Sequence, residues 1–453
     1  MIKINIQEDK LERIKNNHLL YAKIYVLPKL EEKLEQIKRS NFKYQLSFYK
    51  LLRDNFNTII IGSPRELRYF VEDDTKKWHS GFLYLSYINA KDEYKDFYKD
   101  DRGFNEELSK IFDYELFKDE NEVSEDIGLF SYIKKINGNI KSQKRIIQET
   151  EIIESICLQE IMTNSYKSKN YEEFIKALKL INDNYKIRVK RLYESIFNVF
   201  SWGAYSLLKE ISIDTCPYCN RQYISILESN NSNLIGKTRP ELDHFLCKKE
   251  FPFYAVSLFN LIPSCHVCNS NIKKDIKFVR TVGKGRNLLK FKSRNRSEDY
   301  IKVLCPYEEG FGEKYVFSIY PQDDDKEYNI FFGKIDEDDF VLKLKYNGKK
   351  DSNNTIEEKE FITKARGNNI VFRLEELYND NHKDVVKELI VKSTIYNDSY
   401  INELLLNYSD IFNSKKQVME LLLSSYLDNS EKRPLSKLIK DISQQLGLLD
   451  NID

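Results

Sequence analysis

Two short stretches decide how this chain is read: Cys216-Pro-Tyr-Cys219 and Cys265-His-Val-Cys268-Asn269, with Glu241-Leu242-Asp243-His244-Phe245 and Asn260-Leu261-Ile262-Pro263 between them. Each CxxC turn presents two thiolates to one ion. Two such turns, here 45 residues apart, supply the four soft ligands of a closed tetrahedral zinc site. A thioredoxin-like redox pair needs only one CxxC and a βαβ setting, which is missing here. With Cys216, Cys219, Cys265 and Cys268 filling the coordination sphere, the zinc has no position left for water. It is expected to be structural, and catalysis must be built from other residues. Cys157, Cys247 and Cys305 are left over as thiols, and His266 is expected at the surface or supporting a ligand.

Working outward, five of the seven cysteines lie between Cys216 and Cys268, and five of the nine prolines between Pro217 and Pro306, which marks a distinct central module. An odd cysteine count in a long chain whose first 15 residues lack the apolar core of a signal peptide favours metal ligation over disulfides. No run approaches a membrane span, and a cytoplasmic protein is expected. A hydrophobic content of 41% with 30 Tyr and 27 Phe places the 453 residues in the globular class, long enough for two to four domains. The net charge of +1 excludes a uniformly basic surface, so contact with nucleic acid must come from local concentrations of Lys and Arg. Residues 273–296 are such a concentration, with ten basic side chains against Asp275 alone. This arm can neutralise several phosphates without reading sequence, although charge runs are often only solvated loops.

Before the module, apolar residues recur at helical spacing: Leu27, Leu30, Leu34 and Ile37 after Pro28, then Phe174, Leu178, Ile181 and Tyr185, then Val189, Leu192, Ile196 and Val199. Loop breaks are expected near 118–126 and at Asn137-Gly138. After the module, Phe340, Leu342, Leu344 and Tyr346 alternate with Val341, Lys343 and Lys345, as in a half-buried strand, with 315–320 and 328–332 as neighbours. From about Thr355 helical spacing returns, for example at Ile370, Leu374, Leu377 and Tyr378. The expected fold is α+β and predominantly helical. Residues 1–205 form a mostly helical N-terminal domain, 206–300 the central module with its basic arm, and 301–453 short strands followed by helices.

The order of an Asp-His pair, a mid-loop Asn and a final Asn just past the second CxxC resembles the HNH nuclease family. The resemblance implies a ββα-metal module with Asp243 and His244 ending the first strand, Asn260 on the crossing loop and Asn269 on the helix. It implies a metal-dependent endonuclease. His244 is the general base, since an unperturbed imidazole titrates near ~6.5. Asp243 and Asn269 are oxygen ligands for Mg²⁺ or Mn²⁺, Asn260 orients the histidine, and Lys273, one turn past Asn269, faces the phosphate. The wording ELDHF, Phe251-Pro252-Phe253 and NLIPSCHVCN further resembles HNH subunits of bacterial anti-phage systems of the Septu type, which implies DNA as substrate and an SMC-like or ABC-type ATPase as partner. The long helical N-terminal region departs from that pattern. A catalytically silent, zinc-stabilised nucleic-acid-binding scaffold and an RNA-cleaving nuclease are the competing expectations.

Overall fold

The computed structural model describes residues 1–39, 43–69, 101–118, 202–227, 238–249, 251–274, 276, 301–323, 333–348 and 355–450. The helical patterns at 174–185 and 189–199, the loop breaks at 119–126 and 137–138, Cys157, the strand expected at 328–332 and the basic arm from residue 277 onward lie outside the described residues.

The chain is a predominantly helical α+β protein, with two small antiparallel sheets among the described residues. Its N-terminal part contains α1 (Glu8–Tyr25), α2 (Leu27–Lys38), α3 (Lys43–Asp54), α4 (Phe56–Ile61), α5 (Pro64–Tyr69), α6 (Asp101–Ile111), α7 (Tyr114–Lys118) and α8 (Ala204–Ile211). Pro28 stands in the first turn of α2, where its missing N–H costs nothing, and Leu30, Leu34 and Ile37 form the stripe that α2 buries. The central module contributes β1 (Glu241–His244) and β2 (Leu261–Ser264), antiparallel with Glu241 opposite Ser264 and His244 opposite Leu261. A wide helical turn over Val267–Lys273 follows, closed by the bond from Lys274 N–H to the Asn269 carbonyl.

The second sheet pairs β3 (Tyr315–Pro321) with β4 (Phe340–Tyr346), Tyr315 opposite Tyr346 and Pro321 opposite Phe340. On β4 the expected alternation holds: Phe340, Leu342 and Leu344 are buried, while Lys343 and Lys345 are exposed. Helices α9 (Ile356–Phe372), α10 (Leu374–Asn381), α11 (Lys383–Ile395), α12 (Asp398–Asn407), α13 (Lys415–Leu422) and α14 (Ser436–Gln445) complete the C-terminal part. α9 starts on a capping box in which Thr355 accepts from Glu358 N–H and Glu358 accepts from Thr355 N–H. The apolar spacing at Ile370, Leu374 and Leu377 does not belong to one helix. Arg373 takes φ 49°, which ends α9 and starts α10, so Ile370 is left 54% exposed while Leu374 is buried.

One cluster of buried side chains runs through all three parts. α1 packs on α2, α4 and α8, α6 and α4 pack on the Pro252–Tyr254 turn of the module, and α9 packs on the turn Val267–Lys273. The Tyr218 ring stacks on Phe372 at 4.2 Å, and Tyr378 donates to the Cys219 carbonyl at 2.6 Å. The central module is therefore enclosed by helices from both sides.

Candidate active site and metal centre

Cys216, Cys219, Cys265 and Cys268 are buried, and their sulfurs lie within 4.8 Å of one another. Cys219 Sγ and Cys265 Sγ are 3.9 Å apart, close to the ~3.8 Å edge of a tetrahedron with Zn–S bonds of ~2.3 Å. Backbone N–H groups of Arg221, Cys265 and Cys268 point at Cys219, Cys216 and Cys265 sulfurs at 3.4–3.5 Å, an arrangement that favours thiolate charge. Asn220 follows the first knuckle at φ 53°, a region Asn tolerates, and its side chain ties the turn to Thr215, Ser430 and the N–H of Lys437. Burial pushes the Cys216 thiol well up, and hydrogen bonds from Cys216 and the other two sulfurs pull Cys219 well down. Four crowded thiols with unequal proton affinities could hold a metal ion such as zinc. Among the described residues this is the one group of three or more His, Cys, Asp or Glu side chains close enough to share an ion.

The second constellation is built on β1 and the turn that follows β2. Alternation along β1 puts Glu241 and Asp243 on one face, two residues and ~6.6 Å apart. Residues 269 and 273 of the helical turn lie about one turn apart and meet them as parallel rungs. Asn269 Nδ2 donates to Glu241 Oε2 at 2.8 Å, and Lys273 donates to Asp243 Oδ1. Lys273 also donates to the His244 carbonyl at 2.8 Å, and the side chains of the Lys273–Asp243 pair are 4% and 3% exposed. The other oxygen of Asp243 accepts from the Tyr218 hydroxyl at 2.6 Å. The Lys273 ammonium, expected on a phosphate, is thus engaged inside the site.

His244 ends β1, and its Nε2 lies 2.9 Å from the Ala255 carbonyl. A carbonyl only accepts, so Nε2 carries the proton and Nδ1 of the neutral ring keeps its lone pair. Burial, reinforced by Lys248, lowers the His244 pKa to about 3, which corrects the near-neutral titration expected of this base: the ring is fully neutral at pH 7 but a weaker proton acceptor than an unperturbed imidazole. Asn260, 1% exposed, holds the segment that supplies this carbonyl. It accepts from Leu246 N–H at 2.6 Å and donates to the Leu246 and Tyr254 carbonyls at 3.1 and 2.9 Å. Removing its amide would leave the buried N–H and carbonyl of Leu246 unpaired, at about 1–3 kcal/mol each, while the Tyr254 carbonyl would keep the Ser257 N–H at 3.1 Å.

Glu241, Asp243, His244, Asn269 and Lys273 line a cleft of about 370 Å³, with Asn260 buried behind it. Lys118, Arg239, Lys248, Lys249, Lys273 and Lys274 face it against Glu115, Glu241 and Asp243, an excess of positive charge that suits an anion. One wall is α7: Tyr114 meets the His244 ring edge-on at 4.5 Å, and Lys248 lies 4.4 Å over the Tyr114 ring and 3.3 Å from Glu115 Oε1. Burial raises the Tyr114 hydroxyl to about 12.

The structure therefore brings Asp243, His244, Asn260, Asn269 and Lys273 together and sets the four cysteines beside them. Sequence reasoning missed Glu241, Tyr218 and Tyr114. Glu241 accepts from His266 Nδ1 at 2.6 Å, Asn269 and Ser270 Oγ at 2.7 Å, and those donors hold its carboxyl below the usual range against the cost of burial. Its place two residues before Asp243 was a usable signal, and Tyr218 sits inside the first CxxC. Tyr114, 130 residues from His244, carried none. Comparison of the chain with known families, with curated proteins and with solved structures finds no match in any of the three.

Proposed function

We propose that the chain is an HNH-type endonuclease that hydrolyses phosphodiester bonds of DNA, with a structural zinc on Cys216, Cys219, Cys265 and Cys268. The observation that carries this is the His244–Ala255 bond, which leaves a neutral imidazole with an unprotonated Nδ1 on a ring that lines a cationic cleft. In this reading Nδ1 takes a proton from the attacking water, a new P–O bond forms, and the P–O bond to the departing sugar oxygen breaks. The Lys248, Lys249 and Lys274 side chains hold the phosphodiester, and Asn260 keeps the base in register.

Oxygen donors of Asp243 and Asn269 fit a hard divalent cation in kind. Glu241 takes the Asn269 amide nitrogen, which leaves the amide oxygen for another partner, and each Asp243 oxygen retains a second lone pair. When bound there, Mg²⁺ or Mn²⁺ would offset charge on the phosphate and the departing oxygen. The module's order of two antiparallel strands and a helical turn supports a ββα-metal arrangement. The wording ELDHF and NLIPSCHVCN supports a role in anti-phage defence beside an SMC-like or ABC-type ATPase, in the cytoplasm.

One observation favours a second reading, a catalytically silent scaffold: Lys273 already sits on Asp243 where a cation is wanted. Incubation of the purified chain with plasmid DNA or a single-stranded RNA, each with Mg²⁺ or Mn²⁺, separates the readings. Cleavage of DNA that His244→Ala abolishes while zinc is retained is the expected result. Intact DNA in every condition, including with an ATPase encoded beside it, would leave the scaffold.

A further inference from the structure

His244 takes its orientation from the Ala255 carbonyl, so whatever fixes that peptide fixes the base. Three consecutive carbonyls are held by three buried or half-buried side chains. Asn260 Nδ2 donates to Tyr254 O at 2.9 Å, His244 Nε2 donates to Ala255 O at 2.9 Å, and His18 Nε2 lies 2.7 Å from Val256 O. Asn260 and His244 belong to the module itself, whereas His18 comes from α1, 238 residues away in sequence.

The proton on His18 is placed by its other neighbour. Trp202 Nε1, which can only donate, points at His18 Nδ1 at 3.2 Å, so Nδ1 accepts and Nε2 must donate to Val256. His18 is 0% exposed, and burial lowers its pKa to about 4, which keeps the ring neutral and both bonds intact at neutral pH. A second route joins the two histidines: the His18 ring packs edge-on against Phe117 at 5.2 Å, and Phe117 and the Tyr114 that meets His244 share the five-residue helix α7. Neighbouring helices grip the same loop, since Ser257 donates to the Ile59 carbonyl of α4 and Tyr254 to the Leu67 carbonyl of α5 at 2.8 Å.

We propose that His18 is a positioning residue for His244, holding through Val256 the peptide whose carbonyl orients the base. The proposal rests on the nuclease reading, and it makes α1 part of the active-site scaffold: a displacement of α1 shifts the Ala255–Val256 peptide and with it the ring that accepts the proton. Mis-positioning of a reacting group by ~1 Å can cost ~100-fold in rate, so the effect is expected in turnover.

The test uses the full chain labelled with ¹⁵N-histidine, the His244 signals being those lost in His244→Ala. His18→Phe keeps the ring volume and removes both nitrogens, and His18→Gln restores a donor near Nε2. With zinc content unchanged, His18→Phe is expected to move the His244 nitrogen signals and to lower kcat for plasmid cleavage about tenfold or more with KM within about twofold. His18→Gln should recover most of both. If His18→Phe does not retain zinc, Trp202→Phe carries the test, because losing the donor to Nδ1 frees the His18 tautomer; it should move the His244 signals in the same direction. Unmoved His244 signals in the variant that retains zinc overturn the proposal. A wild-type chain that leaves DNA intact removes the nuclease reading alone, and the nitrogen signals then decide whether His18 positions His244.

Discussion

Lys273 and Asp243 form an ion pair sealed from solvent, in which one ammonium serves the carboxylate and the His244 carbonyl together. Such a pair is strongly destabilising to break, at about 3–5 kcal/mol, because the remaining charge stays buried. Lys273→Met is therefore expected to lower the melting temperature markedly. It also uncovers the Asp243 oxygen that Lys273 occupies. Added Mn²⁺ should raise the melting temperature of the variant more than that of the parent chain, by mass action on a site opened to cations. Equal shifts in both proteins would show that Lys273 and a divalent ion do not compete.

Glu241 fixes which end of the Asn269 amide is left for a ligand. With Glu241→Ala, the amide loses the acceptor for its nitrogen and rotates, so its oxygen is presented only part of the time. About a tenfold rise in the Mn²⁺ concentration for half-maximal cleavage is expected, the usual cost of removing a group that orients a ligand, with zinc content unchanged. An unaltered metal dependence would mean that Asn269 is oriented by the helical turn alone.

How much of this was legible in the sequence follows from what each feature depends on. The two knuckles, Asp243, His244, Asn260 and Asn269 were readable because their spacing is local and chemically restrictive. The strand at Phe340–Tyr346 was readable because period-2 burial leaves a direct imprint. The break at Arg373 was not, since a left-handed φ at an arginine has no compositional signal and the apolar spacing runs straight through it. The partner of Lys273 was hidden for a different reason. Residue spacing places it one turn from Asn269, but whether its ammonium turns inward depends on a carboxylate 30 residues away. His18 and Tyr114 belong to helices whose approach to the site is a property of the packed core.

The thiol cluster yields a stability prediction. Binding of a structural zinc to four thiolates is worth roughly 10–16 kcal/mol, comparable to or above the ~5–15 kcal/mol that holds a whole domain folded. Tyr218, between two of the ligands, donates to Asp243, so loss of the metal also loosens the second site. Cys216→Ser or Cys268→Ser should lose the zinc and the cooperative melting of the module, and chelation of the parent chain should do the same. Retention of one zinc per chain in either variant would refute the four-thiolate site.

Acid should weaken the same core through its two neutral histidines. The folded-state pKa values, about 4 for His18 and about 3 for His244, lie below the ordinary value of 6.5. Between those limits the unfolded chain binds protons that the folded chain refuses. The stabilisation is therefore complete above pH 6.5 and is lost as pH falls, down to about 4 for His18 and about 3 for His244. For His18, buried and held by Val256 and Trp202, it amounts to about 3 kcal/mol over the full range. Denaturant unfolding measured at pH 7.5, 6, 5 and 4.5 should show stability falling steadily below pH 6.5. In His18→Phe the slope should be shallower by close to one proton per molecule near pH 5, since only His244 then contributes from this loop. Identical slopes in the two proteins would place a proton on His18 in the folded state, and the bond assignment from His18 Nε2 to Val256 with Nδ1 accepting from Trp202 would have to be abandoned.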